Sequence, residues 1–225
     1  MIADAVRLYL RFALSFRAVE MLLAGRGAQV SCETVRRWVA MFRAQYADEL
    51  RRREMRAGRM WRLDGMSTRI GGRLHWLRRA VDEHGQTLDV LVQAQRDTAA
   101  AEHIFRRLPA VASSVAPVRV TTDKLGSYAA VMVRVPELAS VEHQQVRSAE
   151  RCNTRVEQVH QPTRLRERVM RSFPSTASAQ RFLDAFNRVS NLHRPRRHLL
   201  TAAAYWATMR ERATTRRAVA GLCAA

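Results

Sequence analysis

The sequence predicts an α/β domain with a mixed sheet flanked by helices, preceded by a small all-α helix-turn-helix unit. Two patterns and one bulk property lead there. Apolar residues recur at helical spacing over the first forty-odd positions, then change period at Met60 and fall into strand-like runs. Beyond those runs helices and short β-rich segments alternate, and the remainder is helical. The bulk property is charge: 39 basic against 20 acidic residues, a net +19 over 225 residues. So basic a chain attracts a polyanion, and nucleic acid is the usual one. Lys124 is the only lysine. A GC-rich coding bias explains arginine in place of lysine, but not the shortage of acids. The 47% hydrophobic content, with few glycines and prolines, fits a folded chain rather than a disordered one.

Three short helices are expected first. Ala5, Leu8, Leu10, Phe12 and Leu14 supply one apolar segment. Ser15 caps a second helix with Val19, Met21, Leu22 and Leu23 as its apolar residues, and Gly25-Arg26-Gly27 stops it, because glycine takes the left-handed conformation that ends helices. Ser31 caps a third, with Glu33 in its first turn. There Val35, Trp38, Val39 and Phe42 point one way and Arg36, Arg37 and Arg43 mostly elsewhere. A helix, a glycine-bearing turn and a second helix with arginines on its free face is the plan of a DNA-reading helix-turn-helix, although any small three-helix bundle shares the pattern. Residues 46–59 read as a charged, solvated linker whose Arg51–Arg53 cluster can lie on phosphate backbone.

From Met60, Trp61–Leu63 and Ser67–Ile70 read as a strand broken near Gly65. Gly71-Gly72 turns the chain into a second strand through Leu74, Trp76, Ala80 and Val81. Glu83–Gln86 turns it again into a third, Leu88–Val92. Asp97-Thr98 caps a helix to about Leu108, and Val118–Thr122 is a fourth strand ending at Asp123. A helix from Ser127 to Arg134, a strand from Val141 to Val146, and helices over roughly 153–171, 176–191 and 201–217 complete the order. This is the element order of a ribonuclease-H-like fold. The expected organisation is a helix-turn-helix unit over 1–45, a linker over 46–59, the α/β domain over 60–195 and a helical tail over 196–225.

Several classes are set aside. Cys32, Cys152 and Cys223 show no metal-ligand or disulfide spacing. Arg7, Arg11 and Arg17 interrupt the N-terminal apolar stretch, so no signal peptide is read there, and no run approaches a membrane span. The expectation is a soluble, cytoplasmic, nucleoid-associated protein.

Three acids stand where a metal site could use them. Asp64 lies on the first strand among apolar neighbours, where a charge needs a reason. Asp123 ends the fourth strand, on the edge where open α/β sheets place their sites. Glu157 falls on the helix after the fifth strand. Carboxylates around two Mg²⁺ (or Mn²⁺) ions can support in-line phosphoryl displacement without a side-chain nucleophile. With 20 acids in the chain, one at a strand end also arises by chance; Asp82, Glu83, Asp89 and Asp97 read as turn, surface and cap residues.

The segments WRLDGM (61–66), RRAVDEHGQTLDVLVQAQRDTAAA (78–101), VTTDKLGSYAAV (120–131), RVEQVHQPTRLRERVMRSF (155–173) and AQRFLDAFNRVSNLHRPRRHLLTAAAYW (179–206) resemble the insertion-sequence six family of DDE transposases. Residues 9–39 resemble its helix-turn-helix. The resemblance implies a ribonuclease-H-like catalytic core and Mg²⁺-dependent hydroxyl attack at element ends, with strand transfer into target DNA. It maps the three acids onto Asp64, Asp123 and Glu157. Lys124, Arg155, His160, Arg164, Arg166 and Arg168 match its basic residues, expected to contact DNA together with Arg36 and Arg37. Partners implied are double-stranded DNA, as terminal inverted repeats and target, and a second copy of the chain in a homodimer.

Glu157, His160 and Arg164 fall at i, i+3 and i+7, on one helix face, from which an arginine can grip phosphate bidentately. Gln161-Pro162 is expected to interrupt that helix. A solvated basic face remains the alternative for each arginine, and an ordinary histidine for His160. Departures from the family pattern are Gly65 where glutamate commonly follows the first aspartate, Asn153-Thr154-Arg155-Val156-Glu157-Gln158-Val159-His160 where the family reads Asn-Asn-Arg-Ala-Glu-Asn-Ser-His, and a short N-terminal region. They leave a decayed copy that only binds DNA as the alternative function. A basic regulator with an α/β ligand domain would leave the ordered acids without purpose.

Overall fold

The computed structural model describes residues 1–53, 57–95, 97–111, 117–123, 127–146, 154–193 and 200–222. The chain divides into two compact units, one of Met1–Glu54, Arg168–Arg171 and Arg181–Ala225, the other of Met55–Glu167 and Ser172–Gln180.

The first unit is helical. α1 (Ile2–Arg11), α2 (Phe16–Ala24) and α3 (Cys32–Arg51) pack together. Ser15 Oγ accepts from Ala18 N and Ser31 Oγ from Thr34 N, so both serines are the caps expected. Gly27, at φ 80°, takes the left-handed turn between α2 and α3. Glu20 of α2 accepts from Cys32 N at 3.1 Å and ties the two helices across that turn. Tyr9 stacks on Phe16 with ring centroids 4.3 Å apart. α3 runs on to Arg51 and buries Tyr46, Ala47 and Leu50, so the solvated reading of residues 46–51 is corrected. Tyr46 and Leu50 prolong the inward stripe of Val35 and Val39, and that burial outweighs the local charge. The C-terminal helix α8 (Ala202–Leu222) packs on α1 and α3, so it belongs with the helical unit.

The second unit is built on a five-stranded sheet in the order β3-β2-β1-β4-β5. β1 (Met60–Ile70), β2 (Arg73–Asp82) and β3 (Thr87–Gln93) form an antiparallel meander, β4 (Arg119–Asp123) adds parallel to β1, and β5 (Glu142–Val146) adds parallel to β4. Gly71 and Gly72, both at positive φ, make the first hairpin turn. β1 is unbroken at Gly65, contrary to expectation, because this central strand stays paired with β2 throughout that stretch, Gly65 lying opposite Arg78. One face is covered by α4 (Thr98–Val111) and α5 (Ser127–Arg134), where Trp61, Leu63, Ala80, Val120, Ile104, Phe105, Leu108 and Tyr128 form the apolar core. Asp97 Oδ1 caps α4 through Ala100 N. The opposite face carries α6 (Thr154–Val169), and the start of α7 (Thr176–Leu192) reaches the edge strand. Gln180 there accepts from Val92 N and donates to Val90 O, closing backbone groups that an edge strand otherwise exposes. α6 is continuous through Pro162, so the expected interruption is absent; the helix is held by its packed face on both sides of the ring.

Candidate active site

Strand side chains alternate between faces, and that alternation sorts β1. Trp61 and Leu63 enter the apolar core, so Arg62 and Asp64 stand on the opposite face. On β4 Val120 joins the core, which puts Thr121 and Asp123 on the face of Asp64. Met60 lies opposite Arg119 and Arg62 opposite Thr121 in the parallel pairing. The paired stretch ends at Arg62 and Thr121, two residues before Asp64 on the one strand and Asp123 on the other. Asp123 is buried, and the Asp64 side chain is only 13% exposed.

α6 lies over these residues. His160 Nε2 is 3.6 Å from Asp64 Oδ2. One turn on, Thr163 Oγ1 accepts from the Arg79 guanidinium at 2.7 Å. A further turn on, Glu167 accepts from Thr68 Oγ1 at 2.6 Å and from Arg69 N at 3.3 Å. Positions 160, 163 and 167 thus form the stripe that meets the sheet. Glu157 occupies α6 one turn before His160; its side chain, like that of Arg155, lies outside the described residues. Burial pushes the His160 imidazole below its ordinary range, Asp64 opposes that, and Arg79 and Arg164 reinforce it.

Arg79 is fully buried on β2 opposite Asp64. A buried guanidinium is costly unless its charge and donors are satisfied, so its presence opposite Asp64 is a structural commitment to that face. Sequence reading missed both Arg79 and Thr163. The signal was available: once Gly71-Gly72 fixes Ile70 opposite Arg73, counting outward brings Arg79 to Asp64. Asp89 differs from a surface expectation, since it is buried, whereas Asp82, also buried, is the turn residue expected. Asp89 pairs with Arg107 at 2.9 Å.

The expected DNA contacts separate into groups. Arg36 and Arg37 are exposed on α3, Arg36 within 3.5 Å of Glu33 and with its guanidinium 5.5 Å from the Phe16 ring centroid. Arg164 and Arg168 are exposed on α6. Arg166 is buried instead, because it follows Thr163 by three positions and falls on the packed stripe. His160 is buried with it. Lys124 lies outside the described residues.

Two carboxylates on one sheet face offer the hard oxygen donors that a divalent cation takes. A second group among the described residues, Asp82, Glu83 and His84, also lies close together. Its oxygens have another task. Asp82 accepts from the backbone N–H groups of Gly58, His84 and Gln86 at 2.8–3.0 Å, and Glu83 from those of Arg59 and Met60. These bonds fix the β2–β3 turn and the start of β1.

Residues 58–196 match the family model described as a DDE domain. Among curated proteins, the chain is 36% identical over 126 residues to the transposase for insertion sequence element IS257 in transposon Tn4003 of Staphylococcus aureus, which covers 56% of this chain and 55% of the relative. It is 34% identical over the same length to the transposase for insertion sequence-like element IS431mec of Staphylococcus aureus strain Mu50, with the same coverage. The matched stretch thus spans about half the length of these relatives. A chain of the simian T-cell lymphotropic virus intasome, solved with PP2A regulatory subunit B56 gamma, aligns over 48% of this chain and 38% of its own at 12% identity and a TM-score of 0.39. No described helix is long and apolar enough to cross a membrane. The mixed sheet with helices on both faces is the ribonuclease-H-like core of a DDE domain, and the chain belongs to the insertion-sequence six family of DDE transposases.

Proposed function

We propose that this chain is a transposase that cleaves the ends of an insertion sequence and joins them to target DNA, with Asp64, Asp123 and Glu157 as its catalytic, metal-holding acids. DDE domains work with divalent metal; two Mg²⁺ or Mn²⁺ ions are the proposed complement here. The observation that supports the reading is that Asp64 on β1 and Asp123 on the adjacent parallel strand β4 stand on the same sheet face, the face that carries α6, the helix bearing Glu157.

Each group has a distinct task. The two aspartates and Glu157 would provide the oxygen ligands for such ions. When bound, the ions supply a deprotonated attacking hydroxyl and stabilise the departing oxygen. His160, kept neutral by burial, orients the Asp64 carboxylate without adding a competing charge. Arg79 pins α6 to the sheet through Thr163, which fixes the level of Glu157 relative to the aspartates. Arg164 and Arg168, exposed on α6, grip DNA backbone near the reacting phosphate. The helix α3, with Arg36 and Arg37 outward, reads the terminal repeats in the major groove. Two ends must meet for transposition, and a homodimer provides two such sites.

Purified protein with an end-containing duplex tests the reading. Divalent-ion-dependent cleavage or joining is expected. In Asp64→Asn, Asp123→Asn or Glu157→Gln it falls by on the order of 10³ or more, the scale on which removing one member of a cooperating catalytic set acts. Duplex binding survives in all three. Binding without any carboxylate-dependent metal activity in the unaltered chain would make it a non-catalytic DNA binder.

A further inference from the structure

A second concentration of positive charge lies in the helical unit, apart from α3's outward face. Arg7 and Arg11 of α1, His193 after α7, and Tyr205, Arg212 and Arg216 of α8 line one cavity of about 280 Å³. That is several times the volume of a single water. Arg7 is buried and Arg11, Arg212 and Arg216 are half-buried, so these are not solvated surface arginines. Arg212 donates to the carbonyls of Asn191 and Leu192 at 3.1 and 2.9 Å, which locks the wall of the cavity to the end of α7. Two acids stand beside these four guanidinium groups: Asp4, 3.4 Å from Arg7, and Glu211, next to Arg212. Another cavity of this unit behaves as an ordinary structural cleft: Arg43, Arg51, Arg181 and Arg188 are interleaved there with Asp48 and Asp184.

Four partly desolvated cations converging on one space repel each other, and an anion removes that repulsion. We propose that this cavity is a phosphate site that receives a backbone phosphate of bound DNA, additional to the helix-turn-helix and the catalytic face. Guanidinium groups approaching from two helices match the oxygens of a phosphate bidentately. The choice of DNA over a free anion rests on the transposase reading above. His193 reports on the site. Burial, followed by Arg11, Arg7, Arg216 and Arg212, holds its imidazole down to about 4, and its Nε2 is buried without a hydrogen-bond partner among the described residues. A bound phosphate offsets the arginines and accepts from that nitrogen, so it raises the His193 pKa.

The test uses the full chain. The His193 ring resonance, assigned with His193→Gln, is titrated against pH alone, with inorganic phosphate and with a duplex oligonucleotide. Duplex affinity is measured against salt in the same protein. The expected result is a rise of about one unit or more in the His193 pKa with duplex. In the Arg11→Gln/Arg216→Gln double variant that rise disappears, and the salt slope falls by about 0.9 for each DNA phosphate no longer neutralised. The Arg11→Lys/Arg216→Lys variant keeps most of the slope, which excludes misfolding as the cause. An unmoved His193 with an unchanged slope overturns the site. A response to inorganic phosphate with none to duplex overturns its assignment to DNA. Repeating the titration in Asp64→Asn separates the two readings: an intact His193 response beside unimpaired cleavage refutes the catalytic assignment and leaves the phosphate site standing.

Discussion

The two faces of the sheet in the α/β unit are made from alternate residues of the same strands, yet they are different materials. Trp61, Leu63, Ala80 and Val120 meet Phe105, Leu108 and Tyr128 in an apolar core whose buried charges, Arg78 over the Tyr128 ring and Asp89 paired with Arg107, lie on that side too, whereas Asp64, Arg79 and Asp123 share the other face with His160, Thr163 and Arg166. One residue of register separates hydrophobic burial from a buried polar network. The first face makes the domain stable. The second carries buried charge that adds little net stability and is explained by what it positions. In an α/β fold of this kind, the face that looks energetically unwise is where function is sought.

The contrast can be broken most violently by moving a carboxylate one position. Leu63→Asp buries a charge among Trp61, Phe105 and Leu108 at a cost of several kcal/mol, enough to prevent folding of the α/β unit. Asp64→Asn, next to it, leaves the fold intact; far-UV and near-UV circular dichroism of the two variants distinguishes these outcomes. Next in size is Phe105→Ala, expected to lose about 3–5 kcal/mol in denaturant unfolding while activity per folded molecule stays unchanged.

Arg79→Met acts on both quantities. Removing one partner of a buried charged group leaves Asp64, across the strand, without its cation and Thr163 without its donor, and is expected to cost about 3 kcal/mol of stability. Strand transfer is expected to fall on the order of 10²-fold, because α6 loses its fixed level against the aspartates. An equal loss in stability and none in rate would make Arg79 a structural residue only.

The smallest effect is a pH dependence from the apolar side. His143 on β5, 2.9 Å from Thr122 Oγ1, is held below its ordinary pKa by burial. A histidine depressed in the folded state binds its proton more readily when unfolded, so it favours the folded state fully above about pH 6.5 and this contribution is lost as pH falls toward the depressed value. His143→Gln should flatten the decline in the urea midpoint between about pH 7 and 5. An unchanged profile would assign that decline to other groups.

Much of this architecture was legible because local signals and packing agree. Ser15, Ser31 and Asp97 cap the helices they precede, and Gly71-Gly72 turns the first hairpin. Asp64 and Asp123 stand out in the sequence because charged residues inside or ending apolar strands demand a reason. What escaped the sequence depends on partners distant in the chain. Gly65 and Pro162 are local breakers overruled by a paired central strand and a packed helix. Tyr46 and Leu50 sit in a charge-rich stretch that hides the continuing stripe of α3. Arg166 reads as one more basic residue until the helix phase set by Thr163 turns it inward. Arg79 is visible only through the hairpin register.

Catalysis of the proposed kind requires a cation held between Asp64 and Asp123 rather than at the other close group of acids. Loading the protein with Fe²⁺ in place of Mg²⁺ and generating hydroxyl radicals in situ maps the ion by where the backbone is cut. Cleavage is expected beside Asp64, beside Asp123 and in the first turns of α6, and it should vanish in Asp64→Asn/Asp123→Asn. Cuts confined to Asp82–His84, surviving in that double variant, would contradict it.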